Sequence, residues 1–312
     1  MSPPVPVGMA PLHDHCTNGS AESLGTVGLW SVGLRVDDPA RLGEVQEAAA
    51  ELDELGYGTL WIGGNPSVAQ AGYLLDATER VTVGTSILSI WDHTATEVAA
   101  AYAALEPGRR ERFRLGLGAS HAHKSDAYAR PYSAMKEYLT GLDTAPVPVP
   151  AEQRLLAALG PKMVALAAER AAGAIPYLVT AEHTARARER LGESAILAPE
   201  LKVVLDPDVA RARETARAYL GFYLPMPNYT NNLLRLGFTE EDFAGGGSDR
   251  LVDALFALGD AEAIRARVDE FLASGADHLA VQVVLAAERD PRRDTLPRAE
   301  WRTLAEALPL KG

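Results

Sequence analysis

Five short runs in this 312-residue chain carry side chains and backbone suited to chemistry. Gly116-Leu117-Gly118-Ala119-Ser120-His121 supplies free backbone N–H groups beside a hydroxyl and an imidazole. His121 is the best candidate for a general acid/base or a cofactor contact, against the plainer reading of a surface-loop histidine. Gly63-Gly64-Asn65-Pro66 lets a flat ligand approach the backbone. Asn65 can orient a substrate but cannot shuttle a proton near neutral pH. Alternatively, it caps the next helix. Thr85-Ser86-Ile87 places polar side chains inside an apolar strand, which reads as a bulge facing a ligand or as a satisfied core hydroxyl. Leu159-Gly160-Pro161-Lys162 and Val179-Thr180-Ala181-Glu182-His183 each open a helix. Amides there can bind a phosphate, with Lys162 and His183 supplying positive charge, or the turns simply cap helices.

Familiar catalytic signatures are missing. The chain has no GxSxG elbow, no HExxH, no Walker loop and no paired-carboxylate motif. So few ionisable groups at these sites imply that the chemistry comes from a bound cofactor. Trp30, Trp61, Trp91 and Tyr229 could wall a ring system or cap a barrel. Asp92 and His93 are expected to cap the helix beginning near Thr94. The run His13, Asp14, His15 and Cys16 could bind a metal, but no second ligand cluster lies near it in sequence, and no metal site is assigned.

The elements that must position these runs alternate between strand and helix. Strands are expected at 27–33, 59–63, 81–88, 112–118, 154–159, 173–179, 201–205 and 277–284, each followed by a helical pattern. Alternation of this kind forces parallel strands and crossover helices. Eight such units close naturally as one α/β domain, a single (β/α)8 TIM barrel with insertions, with a doubly wound open sheet as runner-up. In either architecture ligands gather at the carboxyl ends of strands, where all five runs fall. Residues 1–25 read as a Pro/Gly-rich disordered tail. Residues 222–250 read as an irregular insertion that could act as a lid.

Composition sets outer bounds. The chain is 47% hydrophobic and 23% charged, with a net charge of −12, which argues against nucleic acid or an anionic membrane as the main partner. A single cysteine excludes a disulfide framework and suits a cytoplasmic location. No apolar run approaches the ~18 residues of a membrane span.

The segments ELGYGTLWIGG, VTVGTSIL, RFRLGLGAS, ALGPKMVALAAERAAG and GDAEAIRARVDEFLASGADHL together resemble the bacterial luciferase-like monooxygenase superfamily. Within it, PYLVTAEHT and PNYTNNLLRLGFTEEDFAGGGSDRLVDAL look like a subgroup of probable F420-dependent oxidoreductases of actinobacteria. The resemblance implies a TIM barrel whose deazaflavin ring lies at the carboxyl end. It implies a strand-three bulge, often with a cis peptide, at Ser86–Ile87. Gly64 and the run Gly118, Ala119, Ser120 and His121 would flank the ring. Ala158, Leu159, Gly160, Thr180, Ala181 and His183 would hold the ribityl chain and phosphate. Hydride would move between ring carbon C5 and a small-molecule substrate. Relatives that oxidise sugar phosphates carry Asp-His after strand two and Glu after strand four, where this chain has Gly64-Asn65 and His121. That departure leaves His121 as proton donor, with Asn65 orienting the substrate, and favours reduction of an activated double bond. Coenzyme F420 is the expected cofactor. The alternatives are FMN in a monooxygenase fed by a separate reductase, and a non-catalytic cofactor-binding barrel. A homodimer is expected.

Overall fold

The computed structural model describes residues 19–120, 130–286 and 295–310. Its helices start and stop where the side chains dictate. Asp38 accepts the Ala40 N–H to open a 3-10 turn, Pro39–Arg41, that leads into helix Leu42–Leu55, and Gly56 closes that helix at φ 92°. Reciprocal Ser67/Gln70 and Thr94/Glu97 capping boxes open Val68–Ala77 and Ala95–Ala104. Thr94 therefore does the work expected of Asp92 and His93, and Ser67, not Asn65, caps its helix. In chain order the helices are α1 (Gly19–Glu22), α2 (Leu42–Leu55), α3 (Val68–Ala77), α4 (Ala95–Ala104), α5 (Pro107–Arg112), α6 (Pro131–Asp143), α7 (Pro161–Arg170), α8 (Ala181–Leu191), α9 (Val209–Leu220), α10 (Pro227–Arg235), α11 (Asp249–Leu255), α12 (Ala261–Ala273) and α13 (Arg298–Ala307).

These helices surround one parallel sheet, with strands β1 (Val27–Ser31), β2 (Thr59–Ile62), β3 (Thr82–Thr85), β4 (Leu88–Ser89), β5 (Phe113–Gly118), β6 (Arg154–Leu156), β7 (Gly173–Ala174), β8 (Ile196–Leu197), β9 (Glu200–Leu205), β10 (Phe256–Gly259) and β11 (Leu279–Val283). Neighbours run β1-β2-β3-β5-β6-β7-β8, and separately β9-β11-β1. Strands β8 and β9 are one stave interrupted at Ala198-Pro199, so the two runs join and the sheet closes into a (β/α)8 barrel. The open-sheet alternative is thereby excluded.

The pleat sorts the two sides of the wall. Leu29, Leu60, Val83, Leu115, Leu201 and Val281 pack outward under the helices. Trp30, Trp61, Leu155, Ile175, Ala198 and Ala280 pack inward as a separate cluster. Two glycines make room for that interior. A Cβ on Gly84 would stand 2.3 Å from the Trp61 ring, and one on Gly116 would stand 2.0 Å from the Thr85 carbonyl oxygen.

Four expectations change. The strands expected at 154–159 and 173–179 pair over only three and two residues, because their remaining residues turn toward α7 and α8. Strand β10 was not foreseen; it pairs with β9 outside the barrel circuit. The insertion at 222–250 is largely regular. It contains α10 (Pro227–Arg235) and a 3-10 stretch, Glu240–Gly246, and leads into α11 (Asp249–Leu255). Its Pro and Gly residues lie at helix ends, not in a continuous irregular loop. Finally, the last part of the tail expected over 1–25 is structured, and residues 1–18 lie outside the described residues. Gly19–Glu22 is helical and Leu24 is fully buried. The Leu24 and Gly25 carbonyls accept from Thr59 Oγ1 and pair with His278 Nδ1, at 2.8 and 2.7 Å. These residues floor the amino end of the barrel.

Candidate active site at the carboxyl ends of the strands

The ends of β2, β3 and β5 converge, and they present mainly backbone. Gly63 N–H donates to Ser31 O, and a Cβ there would meet the Trp30 ring at 2.4 Å. Gly64 and Asn65 both adopt left-handed backbone, at φ 76° and 65°. Asn65 is exposed, and its amide is a brace: Oδ1 accepts the Ser89 N–H at 2.7 Å and Nδ2 donates to Asp92 at 2.9 Å. It ties β2 to the loop after β4 and keeps one N–H and one lone pair for other partners.

Thr85 is the satisfied core hydroxyl of the polar run, bonded both ways to Gly116 across the sheet. The Ser86–Ile87 peptide is cis, and the Ser86 carbonyl accepts from Trp30 Nε1 at 3.1 Å. Ser86 and Ile87 are half-buried, as are Ala119 and Ser120 opposite. Gly118 has no space to spare, since a Cβ would lie 2.7 Å from the Ile87 side chain. Trp91 is half-buried and donates its indole N–H to the Ala119 carbonyl. The Ser120 carbonyl accepts from Asn228 of α10 at 3.3 Å, so the insertion reaches the site. His121 lies outside the described residues, as do His13 to Cys16.

At the next staves, Ala158, Leu159 and Gly160 lead into α7, and Thr180 caps α8 by accepting the His183 N–H at 3.1 Å. A Cβ on Gly160 would meet nothing within 4 Å, which leaves the first turn of α7 open. Ala181 is buried behind the cap. His183 Nε2 lies 3.2 Å from Leu159 O and links the two helix starts. Burial pushes the His183 pKa down. The imidazole is therefore neutral near pH 7 and does not supply the positive charge expected of it. Lys162 is exposed beside Gly160.

The remaining arc carries residues the sequence reading passed over. Glu200 and Lys202, on β9, form a fully buried ion pair at 2.6 Å. Burial pushes the Glu200 carboxyl up and the Lys202 ammonium down, each partly offset by the other's charge. The ammonium also sits 3.7 Å from the centroid of Tyr177. The Tyr177 hydroxyl donates to Gln282 at 3.1 Å and lies 2.9 Å from that of Tyr223 and 3.2 Å from that of Tyr219. Tyr229 packs edge-on to Tyr223, and Trp30 against Tyr177. One signal was readable: two charges at alternate positions of ELKVVL point the same way, and a barrel wall is buried on both faces. Trp61, expected at the mouth, is instead buried in the interior, bonded to His278 Nε2 at 2.9 Å.

Fold and site define a class: a (β/α)8 barrel whose strand ends offer a backbone-lined shelf on one side and a buried polar cluster on the other. A family model described as luciferase-like monooxygenase matches residues 23–145 and 136–278, and the chain belongs to that family. Solved structures of similar fold include an F420-dependent secondary alcohol dehydrogenase in complex with an F420–acetone adduct, at TM-score 0.68 and 14% identity, covering 92% of this chain and 98% of that one. Another is the coenzyme F420-dependent tetrahydromethanopterin reductase from Methanopyrus kandleri, at TM-score 0.67 and 15% identity, with coverage of 92% and 98%. A third is a type II Baeyer–Villiger monooxygenase, the oxygenating constituent of 3,6-diketocamphane monooxygenase from the CAM plasmid of Pseudomonas putida, in complex with FMN. Its TM-score is 0.65 at 13% identity, covering 92% and 98%. At these identities the likeness concerns the fold. No curated protein matches the sequence. Among the described residues no helix is long and apolar enough to cross a membrane.

Proposed function

We propose that this protein is an F420-dependent oxidoreductase that reduces an activated double bond in a small organic molecule. One observation carries the reading. The shelf formed by Gly64, Ser86, Ile87, Gly118, Ala119 and Ser120 is backbone and small side chains, fit for a flat ring, with two serine hydroxyls and no ionisable side chain among those six residues. Such a surface binds a reagent and leaves the chemistry to it. When bound, the deazaflavin supplies a hydride at ring carbon C5.

The chain's own residues do the rest. Ser86–Ile87 and Gly118–Ser120 would flank the ring. The open first turn of α7 at Gly160 and the Thr180-capped start of α8 would hold the ribityl chain and phosphate through N–H groups. Neutral His183 fixes the spacing of those two helix starts. Asn65 holds the loop after β4 and retains one N–H for a substrate acceptor. His121 would deliver the proton. Residues 222–250, anchored by Asn228 on Ser120, would cover the substrate side. The setting implied is a cytoplasmic homodimer whose cofactor is reduced by a separate enzyme.

The test is turnover. Purified protein with reduced F420 and a panel of cyclic enones and imines should regenerate the absorbance of oxidised F420, and His121→Ala should slow that regeneration. Oxygen consumption with reduced FMN, and no F420 turnover across the panel, would move the protein to the monooxygenase reading.

A further inference from the structure

At the edge of the shelf, beside Gly64, stands a cation that the proposed chemistry does not use. Arg35 lies in the loop after β1, with its side chain 25% exposed. Its Nη1 stands 2.7 Å from where a Cβ on Gly64 would lie, so the missing side chain, at φ 76°, admits the guanidinium to the shelf. Arg35 Nε donates to Asp37 Oδ2 at 2.9 Å, and Nη2 donates to the same oxygen. Asp37 accepts in turn from Gln70 Nε2 at 3.2 Å. Gln70 is fixed by the Val36 carbonyl at 3.0 Å and by the capping box that opens α3. The side of the guanidinium is therefore spent, and its direction is set from two elements. Its end is not spent. A guanidinium has five N–H groups, and Asp37 takes two. The others, two on Nη1 and one on Nη2, form the end-on fork and have no acceptor among the described residues.

The chemistry of the missing acceptor follows from that fork. Coplanar N–H groups match the two oxygens of a carboxylate, and charge makes such bonds stronger than neutral ones. A phosphate dianion fits less well, because Arg35 already faces Asp37 and the Asp92 carboxylate is bonded to the neighbouring Asn65. We propose, resting on the functional reading above, that Arg35 is a specificity-determining residue that anchors a carboxylate on the substrate. The carboxylate is carried in addition to the group that activates the double bond. Hydride from the reduced cofactor and one proton saturate that bond, and the carboxylate stays unchanged.

Calorimetric titration of the protein loaded with oxidised F420 tests this with two pairs of probes. They are 3-oxocyclohex-1-ene-1-carboxylate with its primary amide, and cinnamate with its primary amide. At least one acid should bind about tenfold or more tighter than its amide, and the preference should shrink as salt is raised. Arg35→Met should cut that preference to within about twofold while leaving the affinity of the amide unchanged. Arg35→Lys keeps the charge without the fork, should retain only part of the preference, and serves where Arg35→Met fails to fold. No tighter binding of either acid, a preference undiminished in either variant, or an equal loss of acid and amide affinity would each overturn the proposal. So would a loss of F420 affinity in Arg35→Met larger than the loss of acid preference, which would make Arg35 a cofactor contact. Titration with F420 comes first and keeps the two readings apart. If F420 does not bind, the functional reading fails, and the same acid–amide comparison on FMN-loaded or cofactor-free protein decides the role of Arg35.

Discussion

The two sides of the barrel mouth are made of different materials. Around the ends of β2, β3 and β5, glycine, alanine and serine leave the backbone exposed, and the buried hydroxyl of Thr85 is spent on the sheet. Around β7, β9 and β11, Glu200, Lys202, Gln282 and three tyrosine hydroxyls crowd one buried network. The first side is mostly shape, with charge only at its edge, where the Arg35 guanidinium stands beside Gly64 and Asp92 beside Asn65, and the second has charge without exposure. A shelf of that kind suits a large planar reagent, which needs close approach and few bonds. The network is rigid because each member is held by several others, and low dielectric makes any broken partnership costly.

Experiments that remove one material at a time should separate the two sides. The largest effect is expected on the polar side. Lys202→Met leaves Glu200 buried beside no cation and should cost about 3–5 kcal/mol in urea unfolding. Adding Glu200→Gln should recover much of that loss, and a double mutant no more stable than the single would break the comparison. Next comes the floor that both sides share. His278 Nδ1–H donates to Gly25 O and its Nε2 accepts from Trp61, and burial pushes its pKa down to about 4. Between about 6.5 and about 4 the unfolded chain binds a proton that the folded chain does not. Its contribution is complete above about pH 6.5 and is lost as pH falls to about 4, roughly 3 kcal/mol in all. His278→Gln should flatten that part of the stability curve, as read from melting temperature against pH.

On the shelf side effects should be smaller and fall on binding. Gly118→Ala pushes a methyl against Ile87, which should cost about 1–3 kcal/mol in stability and weaken F420 about tenfold by fluorescence titration. Wild-type F420 affinity in this variant would remove the shelf from the site. Asn65→Ala frees the Ser89 N–H and Asp92, with a cost of about 1 kcal/mol. Because the brace acts through the loop, KM for the organic substrate should rise with little change in kcat.

Much of the shelf was legible in the chain. The glycines of GGN and GLGAS and the interrupted apolar run at Ser86 are local signals, and local signals survive in a linear sequence. Thr180 was readable as a cap for the same reason. Beyond the two charges of ELKVVL the polar side was not, because Tyr177, Gln282 and the local Tyr219–Tyr223 pair lie far apart in sequence and meet only when the barrel closes. Asn65 was read for what its amide could do; which partners it takes depends on where the loop after β4 passes. The insertion misled because its Pro and Gly residues mark helix ends as readily as loops. His183 was assigned a charge that burial removes, and burial is a property of the packed fold.

The most direct test of a deazaflavin shelf is a fluorescence titration of the purified, cofactor-free protein with F420 and, separately, with FMN. Micromolar or tighter binding of F420, with FMN much weaker, is the result expected. Binding of FMN in preference to F420, or of neither, would contradict it.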